Sequence, residues 1–272
     1  MKKIHFWLLL IFVSIGYTNS AQIKDEIPLH ETFPLFSKQV GEKRIINVWT
    51  PPEYAQSKDS LAVLYMADGG IQEDFPHIAN TIAELVKAKK IQPIILVGIE
   101  NTVRRRDLTP FTEIEEDKKV APIVGGSENF RKFIKDELIP HINKHYRTSK
   151  RKGIIGESLS GLFVMETFFT TPYLFDDYVA MDPSLWWNNH YLVRTAKESL
   201  SKFPETDKKL WFAGSSAKDI FKHTRELDGI LKSLNPPHLK WKYSDEKKEK
   251  HNTIFRATKE KALIWTYSIS NE

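Results

Sequence analysis

Gly153-Ile-Ile-Gly156-Glu157-Ser158-Leu159-Ser160-Gly161-Leu162-Phe163 runs a short apolar stretch into a turn of small residues and out into a second apolar stretch. The β-branched residues before the turn read as a buried strand, and Leu162-Phe163-Val164 after it read as the start of a helix. A serine held in so tight a strand-to-helix turn leaves no room for large side chains two positions to either side. Gly156 fills the first place and Ser160 the second, with Gly161 just behind. The string is thus close to the nucleophile elbow G-x-S-x-G and departs from it by one small residue. It makes Ser158 the candidate nucleophile and points the Leu159 N–H at a developing oxyanion. The plain alternative is a strand–loop–helix turn with an N-capping serine.

Around this turn the chain alternates strands and helices. Arg44–Trp49 reads as a strand stopped by Pro51-Pro52. Ser60–Met66 and Pro93–Ile99 are near-continuous apolar runs, as expected of strands buried on both faces. Tyr178–Met181, Leu210–Ala213 and Lys240–Tyr243 continue the series. Helical spacing places Ile78, Ile82, Leu85 and Val86 on one face. It does the same for Phe130, Phe133, Ile134, Leu138, Ile142 and Tyr146. A last helix covers roughly Arg256–Trp265. The pattern predicts an α/β fold with a mostly parallel central sheet and helices on both faces. The segment from about Glu31 to Trp49 is expected as antiparallel strands on the sheet edge.

Composition narrows the chemistry. The chain has 272 residues, 41% hydrophobic and 28% charged, which suits a globular domain. It contains no cysteine, which excludes disulfides, thiolate metal sites and a cysteine nucleophile. Lys2-Lys3, the apolar run Phe6–Ile15 and the small residues before Gln22 have the layout of a secretory signal peptide ending near Ala21. The run is too short for a comfortable membrane span of roughly 20 residues. We therefore expect residues 1–21 to be removed and residues 22–272 to form a single domain, periplasmic or secreted, without a stable membrane anchor. Cleavage removes two lysines from a net charge of +5. The mild excess left over implies no nucleic-acid partner.

A serine nucleophile needs a second oxyanion donor, a base and an acid. Asp68-Gly69-Gly70 closes an earlier strand, and glycines there let backbone N–H groups of Gly69 and Gly70 approach a substrate. The plain reading is an ordinary tight turn. In the order Ser…acid…His the base follows Ser158. His190, His223, His238 and His251 qualify by order, and His251, in a polar loop between the last strand and the last helix, fits best. The acid is expected after Leu210–Ala213, where Asp219 comes first; Glu226 and Asp228 are alternatives. Its task is to fix the histidine tautomer and stabilise imidazolium. Asp219 could instead cap the helix that follows.

Several further strings accompany these residues. They are Trp49-Thr-Pro-Pro-Glu-Tyr54, Val63-Leu-Tyr-Met-Ala-Asp-Gly69, Gly98-Ile-Glu-Asn-Thr-Val-Arg-Arg-Arg-Asp-Leu-Thr-Pro110, Phe133–Pro140, Asp182-Pro-Ser-Leu-Trp-Trp-Asn188 and Glu249-Lys-His251. With them the chain, from about Glu31 to Trp265, resembles a branch of the α/β-hydrolases. That branch holds the esterase D-like enzymes and the trilactone esterases that open ferric siderophores. The resemblance implies an α/β-hydrolase fold, Ser158 as nucleophile, His251 as base and a small-molecule ester or lactone as substrate, with no cofactor and no metal. It implies that Trp186 and Trp187 wall the pocket and that Arg105 and Arg106 lie near its mouth. Two departures stand out: many relatives have His where this chain has Glu157, and Gly where it has Ser160. In siderophore-type relatives the third member of the triad can be missing.

Two other classes stay in view. His141 and His145 are four apart, a helical spacing that can hold zinc, but the Glu of H-E-x-x-H is absent. A binding protein that keeps the fold without catalysis is the other, since fold alone does not decide function.

Overall fold

The computed structural model describes residues 25–269; the expected signal peptide lies outside them. The chain begins with an antiparallel pair, β1 (Glu31–Ser37) and β2 (Glu42–Trp49), turned at Gly41 with φ 78°. Then come β3 (Leu61–Met66), α1 (Phe75–Lys87), β4 (Ile94–Ile99), α2 (Arg104–Leu108) and α3 (Glu115–Val120). Next are α4 (Ser127–Phe133), a π-helical turn (Ile134–Leu138), α5 (Ile139–His145), β5 (Thr148–Glu157) and α6 (Leu159–Thr170). The chain closes with β6 (Asp177–Met181), α7 (Trp187–Arg194), α8 (Ala196–Ser201), β7 (Lys208–Gly214), α9 (Lys218–Leu234), β8 (Leu239–Asp245) and α10 (Ile254–Tyr267).

The eight strands form one sheet in the order β1-β2-β4-β3-β5-β6-β7-β8. β1/β2 and β2/β4 pair antiparallel, and every later neighbour pairs parallel. This is the mostly parallel sheet with an antiparallel amino-terminal edge that the sequence predicts. The apolar runs become strands because both faces of the sheet are covered. Val63, Tyr65, Ile154, Tyr178, Ala180, Leu210 and Phe212 face the core shared with α4, α6 and α9. Their neighbours Leu64, Met66, Ile155, Val179, Met181, Trp211 and Ala213 face the core shared with α1 and α10. Period-two alternation with apolar residues on both sides is what a doubly covered sheet requires.

Helix α6 is buried along nearly its whole length, from Leu159 to Phe169. A helix apolar all round has to be central. The single helix expected over Ser127–Tyr146 is interrupted by the π turn. Pro140 supplies the reason: it has no N–H for the Asp136 carbonyl one turn earlier, so the regular ladder breaks there. The short helices α2, α3, α7 and α8 carry little periodicity, and the sequence reading passes over them.

The chain runs from β3 to β4 on one side of the sheet, then crosses to β5 on the other. The β3/β5 boundary is therefore a topological switch point, where loops at the carboxyl ends of the strands diverge and leave a crevice. One buried ion cluster ties the loop after β4 to the antiparallel edge. Arg44, 1% exposed, reaches Asp107 at 2.6 Å and Glu42 at 2.7 Å. Arg106 completes it, with Nε 2.7 Å from Asp107 and its terminal nitrogen 2.6 Å from Glu42.

Asp107→Ala would leave the Arg44 guanidinium buried with half its partners. We expect a loss of about 3 kcal/mol, read as a lower urea midpoint at unchanged slope.

Candidate active site

Ser158 sits between β5 and α6 with φ 61° and ψ −120°, a backbone region that costs a non-glycine residue roughly 1–3 kcal/mol. Its surroundings hold it there. The Ser158 N–H donates to the Met181 carbonyl at 3.1 Å. The Ser158 carbonyl accepts from Leu162 at 2.9 Å and from Ser184 at 3.1 Å. A Cβ on Gly156 would lie 2.2 Å from Ser160 Oγ, so the small residues on either side of the serine touch each other across the turn. That contact is the physical content of the elbow motif, and it explains why Ser160 can stand where glycine is usual.

His251 lies in the loop between β8 and α10. Its Nε2 is 3.0 Å from Ser158 Oγ. The loop is pinned by the Ser216 N–H to the Glu249 carbonyl at 2.9 Å and by the Lys250 N–H to Thr253 Oγ1 at 3.0 Å. Nδ1 of His251 is 2.7 Å from Asp182 Oδ2. Asp182 directly follows β6, with φ 47°, and is wholly buried. The Ser215 N–H and hydroxyl donate to its two oxygens at 2.6 and 2.8 Å. The three side chains therefore form a continuous relay, Ser158–His251–Asp182, in the chain order Ser…acid…His. The hydrogen bond from His251 to Asp182 holds the imidazole pKa above its ordinary value, with burial opposing and Glu157 assisting.

The carboxylate that meets His251 is thus Asp182, one strand earlier than the expected Asp219. Asp219 is an exposed residue in the first turn of α9; it reaches His251 through charge alone. Glu226 lies 3.8 Å from His223, and Asp228 pairs with Lys232 at 2.7 Å. A search that starts at β7 passes over Asp182. Its signal was present, since Asp182-Pro183 directly follows the apolar strand Tyr178–Met181 at the active edge of the sheet.

The oxyanion donors divide. Leu159 opens α6, so its N–H has no carbonyl within the helix to satisfy it. Gly69 is different: its N–H donates to the Ile99 carbonyl at 2.9 Å and is already used. A Cβ at Gly69 would meet Ile99 N at 2.2 Å, so glycine is needed there for backbone packing against β4. The Gly70 N–H donates to Glu73 at 2.7 Å. Of the two tryptophans, Trp186 is half-buried. Trp187 is a core residue, 2% exposed, whose indole N–H donates to the Pro110 carbonyl at 3.2 Å. Arg106 is committed to the Glu42–Asp107 cluster, so only Arg105 remains exposed toward solvent. Arg105 borders an apolar hollow of about 270 Å³ with Val103, Pro122 and Ile123. His141 and His145 stack on each other at 4.2 Å, and His141 also stacks on Phe33, at the β1 edge of the sheet.

A mostly parallel sheet in this strand order, with a strained serine after β5 and a histidine after β8, defines the α/β-hydrolase fold. The "Putative esterase" family model matches residues 37–261, and the chain belongs to that family. It is 30% identical over 172 residues, 56% of each chain, to the ferri-bacillibactin esterase BesA of Bacillus subtilis. It is 36% identical over 110 residues to a siderophore triacetylfusarinine C esterase of Aspergillus fumigatus, covering 39% of this chain and 34% of that one. Across five curated relatives, these two among them, the chain spans between 26% and 62% of the relative's length. Among solved structures, an IroE-like serine hydrolase from Shewanella oneidensis superposes with a TM-score of 0.78 at 28% identity, covering 87% of this chain and 79% of that one. The BES protein from Bacillus cereus gives a TM-score of 0.79 at 24% identity, covering 90% of this chain and 99% of that one; this likeness speaks to the fold.

An NMR titration of the His251 imidazole should give a pKa above the ordinary histidine value. Asp182→Asn should lower it, because the largest cause of the rise is gone. Asp219→Asn should leave it nearly in place. The reverse ranking would reassign the histidine's partner.

Proposed function

We propose that this chain is a serine carboxylic-ester hydrolase that works through an acyl-enzyme. The Ser158–His251–Asp182 relay, with spacings of 3.0 and 2.7 Å, carries the reading. His251 Nε2 takes the proton as Ser158 Oγ attacks the ester carbonyl. Asp182, buried and already accepting from Ser215, keeps Nδ1 protonated and stabilises the imidazolium that forms. The unpartnered Leu159 N–H receives the oxyanion. Gly70 adds a second donor once its N–H leaves Glu73. Collapse of the tetrahedral species expels the alcohol with a proton from His251. Water then attacks the acyl-enzyme with His251 as base, and Ser158 is restored.

The narrower reading is an ester of siderophore type, and the matched siderophore esterases favour it. Exposed Arg105 beside the apolar hollow suits a large ligand with acidic oxygens. The leader-like composition of residues 1–21 supports a periplasmic or secreted address for this activity. Cleaving a ferric trilactone no faster than a small acetyl ester would remove the narrower reading and leave the general one.

Intact mass after exposure to a fluorophosphonate should show one adduct on the parent protein and none on Ser158→Ala. No adduct on either would bring the non-catalytic binding protein forward. Asp182→Asn should lower kcat for a simple ester by about a thousandfold or more, by loss of the correct tautomer. Asp219→Asn should lower it by less than about tenfold, as an exposed charge acting at a distance.

A further inference from the structure

Glu157 directly precedes Ser158 and ends β5, with its side chain 18% exposed. Its Oε1 lies 3.8 Å from His251 Nε2, the same nitrogen that faces Ser158 Oγ at 3.0 Å. The carboxyl group is therefore beside the reacting edge of the imidazole, whereas Asp182 is behind it. A carbonyl carbon attacked by Ser158 must come within bonding distance of Oγ. The groups attached to that carbon then pass within reach of Glu157.

The other charges at this edge have partners. Asp68 takes Arg104 Nε at 2.5 Å and its terminal nitrogen at 2.8 Å, and also Asn101 at 2.6 Å. Asp74 is 2.9 Å from His77 Nε2. Glu73 accepts from Gly70 at 2.7 Å and Asn101 at 2.8 Å. Among the described residues, the one ion contact of Glu157 is to His251. Four charged neighbours act on it: Asp68 and Asp74 from the β3–α1 loop, Arg104 from α2, and His251 from the β8–α10 loop. With His251 neutral, the one cation named as acting on Glu157 is Arg104, whose guanidinium is already bound to Asp68. Burial, helped by Asp74 and Asp68 and opposed by His251 and Arg104, pushes the Glu157 carboxyl up to about 7.

We propose that Glu157 determines substrate charge specificity, favouring esters with an ammonium group beside the scissile carbonyl and disfavouring those with a carboxylate there. This rests on the serine-esterase reading and concerns only the atoms next to the reacting carbon, so distal parts of a large substrate are free of it. An incoming ammonium supplies the counter-charge that Glu157 lacks. An incoming carboxylate adds a further negative group to a partly desolvated rim.

Three acetate esters of similar size test it: those of choline, its neutral isostere 3,3-dimethylbutanol, and glycolate. For the parent protein kcat/KM should rank choline, neutral, glycolate, each step about three- to fivefold, the scale of a partly screened ion pair, with most of the difference in KM. Glu157→Gln should bring the three within about twofold of one another. A second arm needs no variant. The choline-to-neutral ratio of the parent should climb as pH rises through about 7, because Glu157 gains its charge there. The ionisation of His251 is common to both esters and cancels in the ratio. A parent indifferent to charge, a preference that survives Glu157→Gln, or a ratio flat with pH would overturn the assignment. Failure of the esterase reading looks different: no adduct at Ser158 and no cleavage of the neutral ester.

Discussion

The buried carboxylate of Asp182 is the point on which the site depends. A wholly desolvated carboxylate is tolerated only if donors surround it. Three do: the Ser215 N–H, the Ser215 hydroxyl and His251 Nδ1. Meeting that requirement draws the ends of β6 and β7 and the loop after β8 to one place. Ser158 joins them through the Met181 carbonyl, the last of β6, which accepts its N–H. Backbone strain at two adjacent strand ends, φ 61° at Ser158 and φ 47° at Asp182, is held by this shared set of bonds.

The same edge of the sheet shows how close backbone approach shapes chemistry. Gly69 packs against Gly98 and Ile99 with no space for a side chain, so the loop after β3 lies flat on β4. That packing uses the Gly69 N–H and directs the next one, on Gly70, outward. In this state it meets Glu73. Glu73, Asn101, Asp68 and Arg104 form a hydrogen-bonded set around that loop, so its geometry depends on several charges at once. Glu157 stands at the rim of this set, facing the histidine.

Away from the edge, stability comes from ordinary burial. Sheet residues alternate between two apolar cores, and α6 runs through the larger one. The Arg44–Asp107–Arg106–Glu42 cluster fastens the loop after β4 to the antiparallel edge. It also takes Arg106 out of the solvent-facing set, so a run of three arginines presents three different roles: Arg104 to Asp68, Arg106 to the cluster, and Arg105 to solvent.

Local patterns were enough for the strands, the long helices and the strand–turn–helix at Ser158, and chain order was enough to single out the loop that carries His251. Each is a short-range signal: period-two burial, helical spacing, small residues within two positions of a serine, or a place in chain order. The partner of His251 was not decided at that range. Asp182 and Asp219 both follow apolar strands, and only the pairing of β6 beside β5 sets the first under the imidazole while the start of α9 leaves the second in water. The two tryptophans, the three arginines and the two glycines read alike in one dimension for the same reason. Which of each set is buried, paired or open depends on contacts between residues far apart in the chain, and those exist only once the sheet has formed.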